Sequence, residues 1–224
     1  MKKKDYGKSQ YYQGSSGEEY FKWQNAGNIA IGLIESRKFS KYIKKDEFIL
    51  DFGCGGGHTL AAIECKNKYG IEINPSARKE ANKYGFPVYE DLSSIEESSI
   101  DKAISNHCLE HVPYPIEALK QIRKCLKDEG ELILCLPIDD WRNQKQFNHD
   151  NIDNHLYTWT PQLIGNCLLE SDYKIKDIKI YTHAWPPKVF YLNKILPVSI
   201  FDFICKIYGF ISKRRQIIAV AKKY

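Results

Sequence analysis

Ile49-Leu50-Asp51-Phe52-Gly53-Cys54-Gly55-Gly56-Gly57-His58-Thr59-Leu60 is the stretch that decides the fold of this chain. The apolar run Phe48-Ile49-Leu50 is short and followed by glycines, as in a strand buried in a parallel sheet. Thr59 to Cys65 reads as a helix. Between them the glycines let the backbone turn sharply and approach a ligand at the carboxyl end of the sheet. Nicotinamide and flavin enzymes use loops of this kind too. Two residues point elsewhere: His58 stands where the strict dinucleotide pattern has its third glycine, and Asp51 puts a carboxylate where those folds carry an apolar residue.

Further strands and helices alternate on the carboxyl side of this stretch. Tyr69 to Ile73 reads as the second strand, with Glu72 near its end. Pro75 then opens a helix at its first position, where the missing N–H costs nothing. Pro87 to Tyr89 is a third strand, followed by Glu90-Asp91-Leu92, and Ile100 to Ser105 a fourth. Ile116, Leu119, Ile122 and Leu126 mark one face of the next helix. Gly130-Glu131 opens the most apolar strand, Leu132 to Leu136, closed by Pro137; Thr160-Pro161 caps a helix carrying Leu163, Ile164, Cys167 and Leu168. Lys174 to Tyr181 and Gln216 to Ala221 are the last strands. This alternation predicts an α/β, doubly wound parallel sheet.

The remaining segments complete one domain over residues 1–224. Residues 1–17 read as a mobile arm, 18–43 as N-terminal helices, 45–182 as the cofactor-binding core, 184–211 as a helical insertion and 214–224 as the last strand. In the insertion Ile200, Phe203, Ile204 and Ile207 recur at helical spacing, and such a stripe needs a cover. The sheet edge, the acceptor pocket and a second copy in a homodimer are the alternatives that carry weight, with a membrane surface last.

Composition narrows the class. Against 28 Asp and Glu stand 33 Lys and Arg, a net charge of +5, but they are scattered, which argues against a nucleic-acid groove. Seven cysteines form no CxxC pair and sit mostly in apolar runs, so neither a disulfide framework nor a zinc site is expected. No run of 18 apolar residues and no signal peptide appear, which places the expected location in the reducing cytoplasm.

Taken in order, ILDFGCGGGHTL at 49–60, Glu72 at a strand end, Asp91, SNHCLEHVPYP at 105–115 and the following LKDEGELILCLP resemble the motifs of class I S-adenosylmethionine-dependent methyltransferases. The resemblance covers about residues 45–180 and is nearest the branch that includes ubiquinone-pathway and surface-glycan-associated enzymes. It implies a Rossmann-like seven-stranded sheet of order 3-2-1-4-5-7-6 with the last strand antiparallel. It implies S-adenosylmethionine as cofactor, with Gly53 and Gly55 flanking the methionine moiety, Asp51 near its ammonium, Glu72 on the ribose, and Asp91 with the Leu92 backbone on the adenine.

A hydroxyl acceptor needs a base at the carboxyl ends of the fourth or fifth strand. His107 and His155 are the catalytic candidates. His149 and Tyr157 are the substrate-binding ones, and His111 stands in a helix-start element. No metal is expected, because the adjacent Asp139 and Asp140 would point apart in an extended stretch. The expected acceptor is a hydroxyl of a small molecule or sugar-containing precursor of surface glycan. A quinone-type or other aromatic acceptor, a non-catalytic adenosylmethionine-binding partner and a nicotinamide oxidoreductase are the competing readings.

Overall fold

The computed structural model describes residues 7–24, 28–139 and 145–224; arm residues 1–6 and Asp140 lie outside them. Seven strands form one sheet: β1 (Phe48–Phe52), β2 (Asn67–Ile71), β3 (Val88–Tyr89), β4 (Ile100–Asn106), β5 (Leu126–Ile138), β6 (Tyr173–Thr182) and β7 (Arg215–Lys223). Their order is β3-β2-β1-β4-β5-β7-β6. The first five are parallel, and β7 runs antiparallel to both β5 and β6. The fold inferred from the resemblance is therefore the fold observed.

The helices are α1 (Gly14–Gln24), α2 (Asn28–Ser40), α3 (His58–Ala61), α4 (Pro75–Ala81), α5 (Pro115–Cys125), α6 (Pro161–Glu170) and α7 (Val198–Ile211). Alternate residues of the central strands feed two separate cores, as a sheet covered on both faces requires. Leu132, Leu134 and Leu136 join Leu119, Ile122 and Ile164 of α5 and α6. Ile133 and Cys135 join Phe39 of α2, Leu60 of α3 and Ile63 just beyond it on the other face. The helix starts follow from local chemistry. Thr160 accepts the Leu163 N–H, and Asn74 accepts those of Ser76 and Ala77 before Pro75 opens α4.

Several expected boundaries moved. The helix expected over Thr59 to Cys65 stops at Ala61, because β2 already begins at Asn67, two residues earlier than expected. The most apolar strand runs on through Pro137, which pairs with Gln216 of β7 beyond the last β4 partner at Cys135. Within the expected arm, residues 7–17 are packed: a 3-10 turn at Gln10–Tyr12 leads into α1, and Tyr12 is buried.

The larger correction concerns the insertion. Phe203 and Ile207, expected on the covered stripe, are 63% and 45% exposed, whereas Phe201 and Cys205 are buried against Ile34 of α2, Trp185 and Phe190. The helix is apolar on both sides, so periodicity alone could not choose its inner face. Among the described residues no helix is long and apolar enough to cross a membrane.

Candidate active site

The glycine loop is built as its sequence predicts. Gly53 has φ 78°, and a Cβ there would stand 2.1 Å from the Cys108 sulfur, so only glycine fits. Its N–H and that of Cys54 donate to the Ile71 carbonyl at the end of β2, at 2.8 and 3.0 Å. Glu72 follows immediately and ties the loop from the other side. Its Oε2 accepts the Gly55 N–H at 2.9 Å and its Oε1 the Asn74 N–H at 2.8 Å. The carboxylate still has lone-pair capacity left for a ligand hydroxyl.

Asp51, next to last in β1, lies beneath this loop, 2% exposed, and its Oδ1 has no hydrogen-bond partner among the described residues. Burial, reinforced by the nearby Glu72 charge, pushes its carboxyl up to about 7. An unpaired buried acid is costly unless something positive arrives to meet it.

Gly53, Gly55, Glu72 and Asn74 line one side of a cavity whose other side is Gly7, Ser9, Tyr12, Tyr20 and Phe21 from the N-terminal segment. Several bonds hold that segment down, among them the Tyr11 hydroxyl on the Ile152 carbonyl at 2.9 Å. The Asn74 amide donates to the Gly17 carbonyl at 2.7 Å, Tyr12 Oη lies 2.6 Å from His111 Nδ1, and Lys8 reaches Glu90 at 2.8 Å. Asp91 and Leu92 do not line the cavity. Asp91 Oδ1 accepts the Ser93 N–H at 2.8 Å, Oδ2 is 3.4 Å from the Lys8 ammonium, and the Leu92 side chain is in the core.

A second cleft of about 650 Å³ adjoins the first, and Gly53, His107 and His111 line both. His107 leaves β4 at φ 50°, an uncommon conformation for a non-glycine residue, anchored by its N–H to the Cys135 carbonyl at 2.9 Å. Burial and the Lys38 ammonium push its imidazole down to about 4, so it is neutral at physiological pH. On the α2 side the cleft holds a buried ion pair, Lys38 Nζ to Glu35 Oε2 at 2.5 Å, shared with Gln216 and Asn106. Burial works against the Glu35 carboxylate, but Lys38 outweighs it and holds its pKa down.

Opposite lies a group that sequence spacing did not reveal. Glu110, expected only within a helix-start element, is fully buried, and neither carboxylate oxygen has a hydrogen-bond partner among the described residues. Its backbone carbonyl accepts the N–H groups of Leu156 and Tyr157, which brings His155 over the cleft. His155 Nδ1 is 2.8 Å from Asp139 Oδ2, and its Nε2 is 3.3 Å from Asp153 Oδ2. Burial lowers the His155 pKa, but the Asp139 bond and the Asp153 charge outweigh it and raise the net value. Burial pushes His111 down to about 3 and Glu110 up to about 8.

Two expected contacts are not brought to either cavity. His149 is exposed and stands edge-on to Phe147. Tyr157 donates its hydroxyl to the Pro113 carbonyl at 2.8 Å and packs on the core, leaving its neighbour His155 to face the cleft.

Residues 33–177 match the family model described as a methyltransferase domain, and the chain belongs to that family. An uncharacterized protein of Methanocaldococcus jannaschii is 33% identical over 115 residues, 47% of this chain; the chain spans 43% of that protein's length. A SAM-dependent methyltransferase from Archaeoglobus fulgidus superposes with a TM-score of 0.64 at 19% identity, covering 91% of this chain and 99% of the other. The [4+2]-cyclase SpnF superposes with a TM-score of 0.58 at 15% identity, covering 90% and 83%. Family and fold imply S-adenosylmethionine as the cofactor. The residues present fit it: a loop into which only glycine fits, a carboxylate with lone pairs toward the cavity, and an unpaired buried acid to meet an ammonium. That one neighbour is a cyclase shows the fold alone does not fix the reaction.

Proposed function

We propose that this chain transfers the methyl group of S-adenosylmethionine to a hydroxyl of a small polar acceptor, with a sugar-containing precursor of surface glycan as the favoured class. The observation that carries this reading is the position of His107, whose side chain borders both the cofactor cavity and the second cleft. Bound S-adenosylmethionine supplies an electrophilic methyl on a sulfonium. Glu72, Gly53 and Asp51 hold and orient the donor. His107 takes the proton that the acceptor hydroxyl loses as its oxygen is methylated, leaving a neutral thioether product. Positioning of this kind is worth several kcal/mol of barrier, and a general base about 10²–10⁴-fold in rate.

The cleft's polar lining, with Glu35, Lys38, Asn106, Asp139, Arg215 and Gln216, supports a hydrogen-bonding acceptor over a flat quinone. Trp23, Trp185 and Tyr208 at its margin keep an aromatic acceptor as the second reading. The test is methyl transfer from labelled S-adenosylmethionine to two panels, sugar nucleotides and hydroxylated aromatics. Label on a sugar hydroxyl, lost about a hundredfold in His107→Ala with adenosylhomocysteine binding intact, is the expected result. Label on the aromatic panel alone selects the second reading, and turnover unaffected in His107→Ala removes the base.

A further inference from the structure

We infer that Glu110, His111 and His155 form a binding site for a first-row divalent cation, beside the cofactor cavity and open to the acceptor cleft. One ligand atom from each of the three side chains lies within 4.8 Å of the others. A cation with bonds of about 2.1 Å needs such atoms roughly 3–4 Å apart, so side-chain movements of under about 1 Å close the set.

Glu110 is the strongest single indication. It is fully buried, and among the described residues both carboxylate oxygens lack a hydrogen-bond partner and the nearest cationic candidates are His107 Nδ1 at 3.6 Å and His111 Nε2 at 4.0 Å. The two histidines are held as metal-ligating histidines are, each with its far nitrogen engaged by an oriented oxygen. Tyr12 Oη donates to the Asp153 carbonyl at 3.0 Å, so at 2.6 Å from His111 Nδ1 it acts as acceptor. That fixes the proton on Nδ1 and leaves the Nε2 lone pair facing Glu110. Asp139 at 2.8 Å does the same for His155 Nδ1. Its Nε2 lies 3.3 Å from the Asp153 carboxylate, so a cation would take the place of the second imidazole proton in a setting already rich in negative charge.

Two imidazoles and one carboxylate suit Mn²⁺, Fe²⁺ or Zn²⁺ better than Mg²⁺ or Ca²⁺, which prefer all-oxygen sets. Three protein ligands leave coordination positions free, and those face the cleft. There the cation would bind the acceptor's hydroxyl oxygen and ease loss of its proton; this use, though not the site, rests on the proposed methyl transfer.

The experiment uses the untagged full chain, stripped with chelator. Mn²⁺ is titrated in while free ion is followed by electron paramagnetic resonance, and Zn²⁺ is added in thermal melts. One equivalent bound and a raised melting temperature are expected. His155→Ala should weaken Mn²⁺ binding at least about tenfold, and Asp139→Asn, a positioning variant, about ten- to a hundredfold. Neither residue lies in the sheet core, so both variants stay testable even if Glu110→Gln does not fold. No stoichiometric binding, or binding that His155→Ala and Asp139→Asn leave unchanged, overturns the site. Adenosylhomocysteine binding, measured separately without metal, reports on the methyltransferase reading alone.

Discussion

Asp51→Asn separates what this carboxylate costs the fold from what it gives the cofactor. Its pKa rises from 3.8 to about 7 on folding because burial, then the Glu72 charge, disfavours ionisation. A group whose folded pKa is raised binds its proton more tightly in the native state, so its stabilisation is full below about pH 4 and is lost as pH climbs through 7. Three units at about 1.36 kcal/mol each amount to about 4 kcal/mol, a large part of a typical domain's stability. Asparagine keeps the shape and cannot ionise. Urea unfolding of both proteins without ligand, from pH 4 to 8, should therefore show the variant gaining on the wild type by up to about 4 kcal/mol, most of it before pH 7.5. Titrating groups that do not interact with Asp51 cancel in that difference, and Glu72, which does, titrates more readily in the variant. Calorimetry with adenosylhomocysteine should show the opposite ordering: wild-type affinity improves as pH rises through 7, and the variant binds more weakly with no such rise. Parallel stability curves across the range would refute the claim that Asp51 is an uncompensated buried acid awaiting a positive partner.

Adenosylhomocysteine in hundredfold excess over its dissociation constant adds about 2.7 kcal/mol and should raise the melting temperature, whereas NAD⁺ should not; an NAD⁺ shift alone would remove the cofactor assignment. Glu72→Ala should weaken adenosylhomocysteine binding more than Asp91→Ala, and should also lower ligand-free stability, since Gly55 and Asn74 each lose a charge-assisted bond of roughly 1.5–3 kcal/mol; equal, negligible effects in isothermal titration would show the cavity is misassigned. Gly53→Ala should cost about 2–4 kcal/mol in urea unfolding, from left-handed strain plus collision with Cys108, and near-wild-type stability would contradict the close approach. Phe203→Asp with Ile207→Asp should leave melting within about 0.5 kcal/mol of wild type, because both side chains are exposed; unfolding would show that this face is covered, and a changed sizing profile that it joins two copies.

Glycine loop and helix starts were legible because each has a local cause, whereas the sheet order came only through the resemblance of the ordered motifs. Gly53 is demanded by one sulfur atom, and Pro75 and Thr160-Pro161 open helices by capping chemistry that lies within a few residues. The candidate site was legible only in part. Glu72 and His107 lie at strand ends, where chain direction tells what faces the ligand. Glu110 and His155 meet because a long loop folds back to donate two backbone N–H groups to a carbonyl, and no periodicity records that. The same loop decides between His155, which faces the cleft, and Tyr157, which does not. For α7, apolar residues on both sides left the sequence silent about which would be covered.

The start of the N-terminal segment that walls the cofactor cavity is anchored chiefly by buried Tyr12 and by the Tyr11 hydroxyl on the Ile152 carbonyl, with few further contacts before them among the described residues. Its Lys8 ion pairs are partly exposed and worth roughly 0–1 kcal/mol each, and the Tyr12 bond to His111 about 1 kcal/mol. Far less work is needed to lift this segment than to unfold the sheet behind it. Exchange of spent for fresh donor would then need only local detachment of residues 7–12, with the seven strands undisturbed. Added salt screens the Lys8 pairs first, so ionic strength acts on the speed of that exchange well before it acts on the stability of the domain.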